Sequence, residues 1–99
     1  MKNIRYGAEL VLVCDAVAYT TIDYAVALAQ SGLADRVTIP TFDAMGCDTT
    51  VTIVLGPGLP LLAQEAPDDE LGEDSSWSEG TSGFIRDVSS RTESVREGH

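Results

Sequence analysis

Hydrophobic and polar residues follow two periods in the first part of the chain. Asn3 to Tyr6, the pair Gly7-Ala8, and then Leu10 to Cys14 read as a short strand, a tight turn and a second strand. Farther on, Val37 and Ile39 alternate with Thr38, and Val51, Ile53 and Leu55 alternate with Thr50, Thr52 and Val54. This period of two predicts strands over Arg36 to Phe42 and Thr50 to Leu55, joined by the loop Asp43 to Thr49. Pro40 cannot donate to a ladder, so its strand belongs at an edge or pairing stops there. Leu10 to Cys14 is apolar without alternating. Either both of its faces are covered or one meets another subunit.

Between these hairpins the period changes. Ala16 to Gln30 is alanine-rich and free of Gly and Pro, and Asp15 precedes it as an N-cap candidate. Ala18, Ile22, Ala25, Val26, Ala29 and Leu33 recur at steps of three and four and predict the core-facing stripe, with Thr20, Asp23, Ala27 and Gln30 opposite. Gly32 supplies the left-handed residue that ends a helix. Gly56-Pro57-Gly58 suits a turn, and Leu59 to Leu62 is a short apolar coda expected to pack back on the domain.

The expected fold class is therefore α+β with two layers: β-hairpin, helix, β-hairpin, the helix packed on a small, mostly antiparallel sheet. Residues 1–64 form this domain. A core of that size contributes little net stability, so pairing with a second copy of the chain is the structural expectation.

Composition changes the picture after Gln64. Six acids stand against three bases up to that point and ten against three beyond it, within a formal net charge of −10. Seven acids, from Glu65 to Glu79, come before the first tail base, Arg86. Residues 65–99 hold few apolar side chains and many serines, so burial cannot offset the roughly 1–2 kcal/mol per residue of backbone ordering. A largely disordered, flexible acidic tail is predicted. Within it, Phe84, Ile85, Val88, Thr92 and Val95 approach helical spacing behind Ser82, which predicts a short amphipathic helix over 82–96. Trp77, Phe84, Ile85 and Val88 are the candidate anchors for a partner protein with a basic surface.

The charge also excludes partners. A strongly acidic chain without a Lys/Arg cluster is repelled by phosphate backbones and anionic lipid surfaces, so neither nucleic acid nor membrane is expected. No apolar run approaches the ~18 residues of a membrane span. Lys2, Arg5 and Ala16-Val17-Ala18 imitate an export signal, but Glu9 and Asp15 confine the apolar segment to Leu10 through Cys14, below the roughly 7–15 residues required. A cytoplasmic chain with reduced Cys14 and Cys47 is the expectation.

Chemistry is sparse. The single histidine, His99, is terminal, which leaves Ser/His and Cys/His mechanisms without a base, and Cys14 sits in an apolar strand. Asp43, Cys47 and Asp48 could be offered to a metal around Gly46, although two carboxylates and a thiol match neither calcium nor structural zinc. The helix face around Asp23, with Tyr19, Thr20, Thr21 and Tyr24, is the alternative for a small molecule. Gly56-x-Gly58 lacks the following helix and the Lys of a phosphate loop. No cofactor is implied. The functional expectation is a non-enzymatic interaction protein, with small-molecule or metal binding as the alternative.

Overall fold

The computed structural model describes residues 1–43, 45–58, 61–65 and 79–98, and of Glu65 and Glu79 the backbone alone. Strands β1 (Lys2–Tyr6) and β2 (Glu9–Val13) form the first hairpin; helix α1 (Asp15–Ser31) follows; β3 (Asp35–Phe42) and β4 (Asp48–Leu55) form the second; β5 (Leu61–Glu65) and helix α2 (Glu79–Glu97) complete the fold. The class is α+β, and every strand pairing is antiparallel.

The strands make two sheets, one ordered β2-β1-β5 and one pairing β3 with β4. Leu61 and Leu62, expected within an apolar coda, instead open the strand Leu61–Glu65, which pairs with β1, Leu61 opposite Tyr6 and Ala63 opposite Ile4. It therefore lies on the far side of β1 from β2 and does not cover the β2 edge. Two side chains tie the sheets together. Thr41 Oγ1 donates to Leu12 O at 2.5 Å, and Tyr6 Oη donates to Val54 O at 2.9 Å. Pro40, opposite Thr50, costs no ladder bond to a third strand because β3 pairs with β4 alone among the described residues.

Helix α1 begins one residue earlier in its capping than the sequence suggests. Cys14 occupies the N-cap without a side-chain cap bond, while Asp15 stands in the first turn and pairs with the α-amine of Met1 at 3.2 Å and Lys2 Nζ at 3.9 Å. A carboxylate there also suits the positive end of the helix dipole. At the other end Gly32 adopts φ 67°, its N–H reaching Ala29 O, and Leu33 N–H closes on Leu28 O. That left-handed ending is the one the glycine predicts. Downstream, a Cβ on Gly56 would stand 3.0 Å from Ala34 Cβ, so a larger residue there requires Ala34 to shift by a few tenths of an ångström.

The buried stripe of α1 is rotated from the predicted one. Val17, Ala18, Thr21, Tyr24, Ala27 and Leu28 are buried, whereas Val26, Ala29 and Leu33 are exposed. The reason is α2, which packs along α1 and contacts β3, so α1 is covered on two sides. Helix α2 starts at Glu79, ahead of the predicted 82, and buries Thr81, Phe84, Val88 and Thr92 at steps of three and four. Two buried threonines solve a common problem: Thr21 Oγ1 donates to Val17 O and Thr92 Oγ1 to Val88 O, each using its own helix. One core results, in which Ile4, Val13, Val17, Leu28, Ile39, Leu55 and Val88 are fully buried.

Candidate functional site

Three elements converge on Asp35. From α1, Tyr24 Oη donates to Asp35 Oδ2 at 2.5 Å; from α2, Arg91 Nη1 lies 3.1 Å from the same oxygen; from its own strand, Arg36 N–H donates to Oδ1 at 2.8 Å. Arg91 makes two further contacts. Nη1 also donates to Arg36 O at 3.2 Å, and Nη2 meets Asp87 one helical turn back at 2.9 Å. Tyr24 is buried, whereas the Asp35 and Arg91 side chains are each more than a third exposed.

Electrostatics follow from this arrangement. Burial, then the hydrogen bond to Asp35 and its negative charge, push the Tyr24 phenol up to about 12. The Tyr24 hydrogen bond, aided by Arg36 N–H and the Arg91 charge against the opposing effect of burial, holds the Asp35 carboxyl below its usual range. Burial works against the charged form of Arg91, but Asp87 and Asp35 outweigh it and raise that group. A phenol held this firmly protonated donates a hydrogen bond and does not act as a base near neutral pH. The cluster is a clamp joining α1, β3 and α2.

A second feature lies where the sheets diverge. A groove of about 530 Å³, open to solvent along one side, runs between the β1–β2 hairpin and the β3–β4 sheet. Val11, Leu12, Phe42, Val51 and Ile53 supply apolar walls, with Tyr6 beside them and Asn3, Glu9 and Thr52 adding polar groups. The solvent face of the three-stranded sheet continues from it. Arg5 sits there between Leu10 and Leu62, its direct cross-strand partners, which remain 49% and 45% exposed.

The residues singled out from the sequence take different places. Asp43 serves its own turn: Oδ1 accepts the N–H groups of Met45 at 2.9 Å and Cys47 at 3.0 Å, while the backbone closes through Asp43 N–H to Cys47 O. Cys47 and Asp48 are exposed, and among the described residues no three His, Cys, Asp or Glu side chains gather as metal ligands. Around Asp23 the expected polar face divides. Asp23 is exposed, Tyr24 and Thr21 point inward, and Tyr19 is exposed with Lys2 Nζ 5.8 Å from its ring centre. Cys14 is buried.

Of the tail anchors, Phe84 and Val88 lie in the chain's own core and Ile85 packs against it. Their apolar face is spent on α1 and β3, not held out to solvent. Trp77 and His99 fall outside the described residues. Sequence reasoning missed the clamp because its parts come from positions 24, 35 and 91 with no spacing to connect them. The groove had a faint signal in the unalternating Leu10 to Cys14 run.

The fold and these sites define a small two-layer α+β protein with a clamped second helix and an open sheet face. Among known proteins, no family model, no curated sequence and no solved structure matches the chain.

Proposed function

We propose that the chain is a small, non-enzymatic interaction protein that pairs with a second copy of itself through the solvent face of the three-stranded sheet. The observation that carries this reading is the cross-strand row Leu10, Arg5, Leu62, in which two large aliphatic side chains stay about half exposed on either side of one cation. A sheet face of this kind gains apolar burial when a partner covers it. The β5 strand extends that face on the far side of β1 and leaves Leu10 open, which supports an occupant from outside the chain. In the same reading the acidic run from Asp68 to Asp74, with Trp77 beyond it, engages another protein through a basic surface.

Light scattering on the full chain is the test. A particle of twice the chain mass that becomes single on Leu62→Glu, with an unchanged helix signal, is the expected result. A single-mass particle for the native sequence across a wide concentration range overturns the pairing.

A further inference from the structure

We infer that the groove between the β1–β2 hairpin and the β3–β4 sheet is a binding site for a small organic ammonium with an apolar body. The volume, about 530 Å³, falls within the roughly 300–1,000 Å³ of ordinary small-molecule pockets. Three features of the lining select the ligand's chemistry.

The first is the apolar wall. Val11, Phe42, Val51 and Ile53 come from three different strands, and Ile53 and Val11 are buried while Phe42 and Val51 are only partly covered. Two side-chain hydrogen bonds tie the sheets together beside the groove, Thr41 to Leu12 and Tyr6 to Val54, and Thr41, Leu12 and Tyr6 are themselves among its lining. An apolar body placed there removes the partly covered surfaces of Phe42 and Val51 from water.

The second feature is charge. Among the described residues, Glu9 is the one ionisable side chain lining the groove apart from the Tyr6 phenol, whose hydroxyl is committed to Val54 O. Among the described residues no base pairs with Glu9, which is exposed at the groove's edge directly opposite Tyr6. A carboxylate beside an apolar trough complements a cation and repels an anion, and the chain's net charge of −10 acts in the same sense.

The third is aromatic. Tyr6 and Phe42 both line the groove, and aromatic faces attract alkylammonium groups as carboxylates do, without requiring an N–H donor. Asn3 and Thr52 add hydrogen-bonding groups at the rim. Apolar floor, one carboxylate and two rings together fit an arylalkyl or alkyl ammonium, including a quaternary one. Leu10 lines the groove and also stands on the sheet face proposed for self-pairing, so a dilution series accompanies the titration to tell ligand from second copy.

The experiment is a titration of the full chain followed by amide NMR shifts, using benzyltrimethylammonium and its uncharged carbon isostere neopentylbenzene. The expected result is saturable shifts at Glu9 to Leu12 and at Phe42 and Val51 to Ile53 with the cation, and weaker binding of the isostere. Glu9→Gln, an exposed substitution, weakens the cation about fivefold, as loss of one exposed ionic contact does, and leaves the isostere unchanged. Val51→Trp fills the groove and abolishes both, with the Tyr24 and Val88 resonances reporting an intact fold. Equal binding of the two probes that Glu9→Gln does not alter overturns the ammonium assignment. Absence of groove shifts with the native chain overturns the site, and so do groove shifts that follow protein dilution instead of probe, since a second copy is then the occupant.

Discussion

Tyr24 and Asp35 are eleven residues apart and joined by a 2.5 Å hydrogen bond from phenol to carboxylate, with Arg91 of the second helix on the same oxygen. This contact links the end of one helix–strand connection to the C-terminal helix. Arg91 reaches it across 56 positions of sequence. The clamp explains why a segment following an acidic run is held on the domain.

Removing the phenol should expose its contribution directly. Tyr24→Phe keeps the buried ring and loses only the donor, which for a hydrogen bond to a charged group costs about 1.5–3 kcal/mol. Urea denaturation measures the loss. The carboxyl of Asp35, followed by carbon NMR, should titrate closer to its ordinary 3.8 because its largest stabilising partner is gone.

The pH dependence has a defined sign at each end. Asp35 is lowered in the fold, so its contribution is complete above the unfolded value near 3.8 and is lost as pH falls through the depressed folded value. Tyr24 is raised to about 12, so its contribution is complete below 10.0 and disappears as pH climbs through that upper value. Asp35→Asn should lower stability at neutral pH and flatten the acid limb of the urea midpoint against pH. An unaltered acid limb would place that sensitivity in other carboxylates.

Val88 is 1% exposed and lies between α2 and the rest of the core. Val88→Ala should cost about 2 kcal/mol through the lost methyls and the space they leave, whereas Ile85→Ala, only partly covered, should cost less. Deleting residues 79–99 uncovers the α1 face against which Phe84 and Val88 pack. Calorimetry should then show a severely destabilised remainder.

The Asp43 turn offers a local test. Asp43→Ala removes the acceptor for the Met45 and Cys47 amides and should cost about 1 kcal/mol in an exposed loop. Hydrogen exchange at those two amides should quicken, and thiol labelling of Cys47 should rise. Asp48→Ala, at an exposed strand end, should leave both unchanged.

Local chemistry made several parts of the fold legible. Gly32 ends α1 because a left-handed residue is needed there, Val37 and Ile39 face inward because a strand alternates, and Pro40 lies on an edge because it has no N–H to give. The stripe on α1 was harder to read. With alanine or valine on nearly every side, Ala16 to Gln30 carries too little contrast to set its own rotation, and Ala27, on the side read as polar, is buried.

By itself, then, the sequence determined the α+β class, the two hairpins, the first helix with its glycine end, and the concentration of negative charge after Gln64. Those depend on periods of two or 3.6 residues and on the backbone limits of Gly and Pro, which neighbours along the chain decide. Tertiary structure alone decided that Leu61–Glu65 joins β1, that Phe84 and Val88 are core, and that Tyr24, Asp35 and Arg91 meet. Each depends on which distant surfaces bury one another, a choice made by shape and apolar area in three dimensions that no local spacing records.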